Sequence, residues 1–241
     1  MTSTDAPWDG TSPSEGAAVS QAPNVSAEPD DVDVDDDLDD YSRPLIPHPL
    51  KDRTLGWILT IFGGIAFLAA GTLTIDDWKL AENPDYTPSC SINVFVTCSA
   101  AMQSWQGKLY GFPNPFLGIV AFAIVVTVGV IMLTGFRPPR WFRLALLAAT
   151  TIGLGHVVFF VWTTIYRLGK ICPYCSVVWL CMIPIFWYQL VHAIQERAIP
   201  LPEKWRGAIV RNRTIGTVVL YVALLLWVFV GLREPIAQTY F

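Results

Sequence analysis

The sequence predicts an all-α integral membrane protein with five transmembrane helices, and three observations carry that prediction. The 241 residues are 53% hydrophobic and only 15% charged, with a mean hydropathy of +0.43. Five uncharged apolar runs succeed one another between residues 57 and 232, each near or above the roughly 18–20 residues that cross a bilayer. None of them alternates as a strand would, and in lipid only helices or closed barrels satisfy every backbone donor and acceptor.

Residues 1–45 differ in kind from the rest of the chain. Twelve of the 20 acidic residues lie before Tyr41, where there is no Lys or Arg, so this stretch carries about −12 and the remainder about +8. Rich in Asp, Ser, Pro, Ala and Gly, it has too little apolar surface to offset ordering entropy and reads as a disordered acidic tail. It also lacks the basic-then-apolar order of a signal peptide. No nucleotide-phosphate loop or nucleic-acid-binding motif is present, and no nucleic-acid partner is expected.

The first span is 57–75. The second lies within 109–136, with 116–134 as its spanning part after the breakers Pro113 and Pro115. The third is 144–166, the fourth 171–195 and the fifth 214–232. Basic residues set the orientation. Arg43, Lys51, Arg53, Arg137, Arg140, Arg143, Arg197, Lys204, Arg206, Arg211 and Arg213 fall on one side, against Lys79, Lys108, Arg167, Lys170 and Arg233 on the other. The richer side marks the cytoplasm. The N-terminus and a basic loop at 196–213 are therefore expected inside, and the C-terminus and the long segment 76–115 outside, in a multi-pass protein of the plasma membrane.

This topology sorts the cysteines. Cys90 and Cys98 lie in the long external segment, and Cys172 and Cys175 open the fourth span at its external end, so all four face the oxidising side. Cys181 falls inside the membrane and reads as a small apolar residue. In Cys172-Pro173-Tyr174-Cys175 the two thiols share one face of a first helical turn, which Pro173 suits because its missing N–H would be unpaired there. A helix N-terminus favours the thiolate. A ring this small removes little chain entropy, so the pair is better explained by reactivity than by stapling. A four-thiolate zinc site is disfavoured by the oxidising side, and no metal is expected. Residues 98–110 place Ala101, Met102, Trp105 and Leu109 at the spacing of an amphipathic half-helix lying on the membrane, with Thr97 to cap it and Gly111 to end it. Cys98 then sits over the bundle mouth, while Cys90 lies in a freer stretch with Pro88 and Ser89, ready for an outside partner. Two dithiol pairs on one side of a membrane suggest a thiol–disulfide relay.

The order of loop pair then C-x-x-C, with Ser104 six residues after Cys98 and Asn114 before the second span, resembles the vitamin K epoxide reductase family over about residues 54–195. The fifth span suggests its bacterial branch. The resemblance implies a four-helix bundle around a quinone of the menaquinone or ubiquinone type, plus one extra helix. It implies that Cys175 faces the quinone, that Cys172 exchanges with Cys98, and that Cys90 exchanges with a secreted thioredoxin-fold (DsbA-like) protein. Only about nine residues come after the last span, so that partner is expected to be a separate chain. Asn114, Ser104 and Trp179 become candidate quinone contacts, Trp179 standing where the animal enzymes carry a ring-binding tyrosine. The implied activity is that of a membrane thiol oxidase. Reduction of a quinone or quinone epoxide with a different thiol donor, or a non-enzymatic bundle braced by disulfides, are the alternatives. Elsewhere, His156 sits mid-span as a polar outlier, and Gly63, Gly64, Gly153 and Gly155 are expected to allow close helix packing.

Overall fold

A computed structural model describes residues 49–93 and 95–240, the last seven of these by backbone only; the acidic tail lies outside the described residues. The chain runs through α1 (Asp52–Glu82), a short α2 (Ser99–Gln103), a 3-10 turn (Trp105–Lys108), α3 (Asn114–Leu133), α4 (Arg140–Thr163), α5 (Pro173–Gln195), α6 (Glu203–Arg211) and α7 (Arg213–Tyr240). Five of these helices are long and apolar enough to cross a membrane. The protein is thus an all-α multi-pass membrane protein. A π-helical turn at Thr164–Leu168 extends α4 and ends at Gly169 in the left-handed region. The loop expected at 196–213 contains the amphipathic α6, where Arg206 and Val210 are buried and Lys204, Trp205 and Arg211 are exposed.

Helix α5 is the centre: 61% of its spanning window is buried, against 6% for α7. It packs on α1, α4 and α7, while α1 also packs along α3. Pro184 lies inside α5, which membrane helices tolerate when neighbours enclose the freed carbonyl. Small residues bring α1 and α3 together. A Cβ on Gly129 would stand 2.6 Å from Thr60 Oγ1 and 2.8 Å from Thr60 N, and one on Gly63 3.1 Å from Val125 and Val126. Of the other glycines expected at interfaces, Gly153 faces Met182, whereas Gly64 and Gly155 face open space. Helical spacing alone does not reveal which flank meets a neighbour. By contrast, α3 and α4 scarcely touch, and a gap separates them.

Helix α7 leans on α5 through two anchors. Trp187 Nε1 donates to Arg213 O at 2.8 Å, and Tyr221 Oη donates to Leu180 O at 2.9 Å. At the basic end of the bundle, Asp52 bonds both Arg137 (2.7 Å) and His192 (2.8 Å), and Arg143 pairs with Glu196 (2.5 Å). These contacts tie the start of α1, the α3–α4 turn and the end of α5 together. The opposite end carries the cysteines. There the loop after α1 is pinned to the start of α5 by a parallel bridge, with Thr97 N–H on Ile171 O (3.0 Å) and Ile171 N–H on Phe95 O (2.7 Å).

Candidate active site

Cys172 is the N-cap of α5, and its sulfur accepts the Cys175 N–H at 3.4 Å, with Pro173 as the first helical residue. The motif thus folds locally as the sequence suggests. Cys90 and Cys98 form a disulfide with Cα atoms 5.8 Å apart, while Cys172 and Cys175 are free thiols. Across these pairs, Cys172 Sγ lies 3.0 Å from Cys98 Sγ. The bridge at Val96 and Ile171 holds both cysteine segments together and so sets this contact.

All the contacting sulfurs are buried, in a small apolar cluster of Leu80, Cys90, Cys98, Met102 and Cys172 edged by Leu73, Tyr86 and Tyr174. Cys90 is only 4% exposed, not free as expected from its Pro-Ser neighbourhood. The reason is Asp76, whose buried carboxylate accepts Ser89 Oγ (2.7 Å), Ser89 N (3.2 Å) and Tyr86 Oη (3.0 Å). Ser89 Oγ also reaches Tyr174 Oη at 3.3 Å, joining the loop to the C-x-x-C turn. Asp76 is invisible as a site residue in the sequence, where it reads as an ordinary acid ending a span. The Tyr86 hydroxyl is held above its ordinary pKa, first by its hydrogen bond to Asp76. The Cys172 thiol is held below its ordinary value by the Cys175 thiol hydrogen bond and, to a lesser extent, by the Cys175 and Tyr174 backbone N–H groups; burial opposes them.

The half-helix expected over 98–110 is two pieces. It breaks at Ser104, whose hydroxyl donates to Ala101 O (2.7 Å) and accepts Gly107 N–H (3.1 Å). A Cβ on Gly107 would stand 2.2 Å from Ala101 O, so the turn requires glycine. As a result the expected apolar face is divided: Met102 is buried, but Trp105 and Leu109 are exposed. Thr97 Oγ1 does accept the Ser99 N–H at 3.3 Å, although Cys98 is the N-cap. Gly111 ends the segment with φ +81°.

Beneath the sulfurs lies a cavity of about 470 Å3, largely apolar, lined by Cys172, Cys175, Trp179, Asn114, Ser104, Phe122, Met182, Tyr110 and His156 among others. Its size is that of a small-molecule site. Asn114 does not cap α3. Its Nδ2 donates to Gln106 O at 2.6 Å, and its buried Oδ1 has no partner. Trp179 is buried in the wall, while the Ser104 hydroxyl is engaged within its own turn. Cys181 is buried in the main core with Met182 and Ile185, and is not part of the cluster that holds Cys90, Cys98 and Cys172. His156, a polar outlier in the sequence, hydrogen-bonds Tyr110 across the cavity mouth; nothing in the spacing of Tyr110 points to that partner.

The family model described as Vitamin K epoxide reductase family matches residues 57–190, more than half of the chain and all of the cavity-lining helices. No curated protein matches the chain.

Proposed function

Because this chain belongs to the vitamin K epoxide reductase family, an oxidoreductase family of membrane proteins linked to quinones, we propose that it oxidises the dithiol of an extracytoplasmic thioredoxin-fold protein and passes the electrons to a membrane quinone. The observation that carries this reading is the 3.0 Å contact between Cys172 Sγ and Cys98 Sγ, with Cys175 on the wall of the cavity just below. The outer pair is then the donor side and the inner pair the acceptor side.

The steps balance as thiol–disulfide exchanges. The partner's two thiols reduce Cys90–Cys98 and leave as a disulfide. Cys98 thiolate attacks Cys172 of an inner disulfide, forming a Cys98–Cys172 bond and releasing Cys175 as thiolate. Cys90 thiolate attacks Cys98, re-forming Cys90–Cys98 and releasing Cys172. Once Cys175 has taken up a proton, its thiol hydrogen bond lowers the Cys172 pKa and makes Cys172 the good leaving group in that step, since leaving thiols of lower pKa depart faster. The arrangement of an outer disulfide and two inner thiols corresponds to the end of this sequence. The inner dithiol then closes to a disulfide, losing two electrons and two protons.

A bound quinone supplies the acceptor for those electrons and protons. The residues fit such a group: the cavity is mostly apolar, Asn114 Nδ2 keeps a second N–H beyond its bond to Gln106 O that a ring carbonyl can accept, and the orphaned Oδ1 can accept from the hydroxyl of the reduced ring. A buried amide left this way is costly unless a ligand completes it. Asn114 and Trp179 would hold the ring against Cys175. The gap between α3 and α4, rimmed by the exposed Leu117, Ile124 and Ile152, opens the cavity sideways to lipid. To test the reading, reduced protein is mixed with a short-chain quinone and its thiols are counted by alkylation and mass spectrometry. Oxidation of Cys172 and Cys175 is expected in wild type and loss of quinone reduction in Cys175→Ala; wild-type turnover by the Cys172→Ala/Cys175→Ala double variant would refute the scheme.

A further inference from the structure

We propose that Tyr110 and His156 form a proton relay that protonates a carbonyl oxygen of the acceptor in the cavity; the proposal rests on the quinone-linked reading above. Both residues line the cavity that also holds Cys175. His156 projects from the middle of α4, where an ionisable side chain in a membrane helix marks function by default. Tyr110 comes from the loop, where the left-handed Gly111 and its N–H bond to Lys108 O (3.0 Å) turn the chain over the cavity mouth. Tyr110 is 47% exposed and belongs to the segment expected outside, so it stands between the cavity and the external face.

The hydrogen bonds fix the resting state. His156 Nδ1 lies 3.0 Å from Ile152 O, and a carbonyl only accepts, so Nδ1 carries a proton. The other ring nitrogen, Nε2, meets Tyr110 Oη, and in the neutral ring it must accept the phenol proton. Tyr110 is then unable to donate elsewhere. A proton taken up by Nε2 reverses this: the imidazolium donates to Tyr110 Oη and frees the phenol O–H to point into the cavity. The pair thus switches from idle to donating on gaining one proton from outside.

In the transfer step, the Cys172 and Cys175 S–H bonds break, one S–S bond forms, and two electrons leave for the acceptor. Tyr110 gives its proton to one acceptor oxygen and takes the Nε2 proton from His156, ending neutral beside a neutral imidazole. One thiol proton goes to the second oxygen. The other passes to water, balancing the proton that reprotonates His156. Two S–H bonds are lost and two O–H bonds are gained.

The test uses full-length protein reduced and mixed with a short-chain quinone, followed by stopped-flow absorbance, with quinone affinity measured separately in a non-turnover Cys175→Ala background. Tyr110→Phe and His156→Ala are expected to slow electron transfer about 100-fold, the low end for a general acid, while leaving quinone affinity unchanged. Imidazole in the buffer is expected to restore part of the His156→Ala rate, and none in Tyr110→Phe. Imidazole 15N shifts of the quinone-free protein should show Nδ1 protonated and Nε2 accepting, the latter signal moving in Tyr110→Phe. Unchanged rates in both variants would overturn the relay while the quinone-linked reading stood. So would a loss that tracks weakened quinone binding with no imidazole rescue, since that reports loop packing alone. A wild-type dithiol left reduced by quinone would overturn the parent reading and the relay together.

Discussion

Cys172 sits where three influences on a thiol meet. The Cys175 thiol and two backbone N–H groups stabilise its thiolate, and burial opposes them without cancelling them. Its thiolate is therefore present above a pKa lying below the ordinary thiol value and is lost as pH falls through that lowered pKa. In reduced protein, alkylation of Cys172 should reach half its maximal rate at a lower pH than alkylation of an ordinary exposed cysteine does. Cys175→Ala should move that midpoint upward, because the largest contribution is removed; a wild-type midpoint at or above the ordinary value would contradict this. The lowered pKa is legible in the sequence from the helix N-terminus alone. That the partner thiol matters more is not, because it depends on the side-chain direction within the first turn. The burial of Cys90 is hidden for a related reason. Pro88 and Ser89 look like free loop, and only the folded chain brings Ser89 onto Asp76.

At the scale of elements, the loop between α1 and α3 is clasped rather than draped. Asp76 spends three hydrogen bonds on residues 86–89, and the adjacent Cys90 is shielded as a consequence. Releasing that clasp should expose the outer disulfide. Asp76→Ala is expected to speed reduction of Cys90–Cys98 by a membrane-impermeant phosphine on the order of tenfold, the equivalent of losing one hydrogen bond to a charged group. Equal rates in variant and wild type would mean that the clasp does not guard Cys90. The spans are legible because apolar runs of this length have one stable form in lipid. The half-helix is legible only in part, since its break depends on Ser104 Oγ turning back onto Ala101 and on the space that Gly107 leaves. Close packing is harder still: Gly129, inconspicuous in the sequence, is the tight point between α1 and α3. Gly129→Ala should cost about 1–3 kcal/mol, as overpacked cores do, read as a lower unfolding temperature in detergent; an unchanged temperature would show that the two helices can part without loss.

For the whole molecule, the two ends of the bundle divide the work. The basic end is locked by Asp52, His192, Arg137, Arg143 and Glu196, and the cysteine end carries the proposed chemistry. The excess of Lys and Arg at the first end predicts that it is cytoplasmic. Alkaline phosphatase fused within residues 83–88 should therefore be active in cells, and inactive when fused at residues 134–139; the reverse pattern would invert the orientation and place the thiols on the reducing side. The five spans and the grouping of four cysteines near the same end of the bundle are readable from the chain because each rests on composition or local spacing. The pairing across 74 residues that puts Cys172 on Cys98 is implied only by family resemblance, since it is fixed by an isolated bridge between two loop segments with no sequence signature. That pairing is the central claim, and one measurement addresses it most directly. In Cys90→Ala protein, quenched with acid and alkylated, peptide mass spectrometry should find Cys98 linked to Cys172. A link from Cys98 to Cys175, or no inter-segment link at all, would contradict the relay.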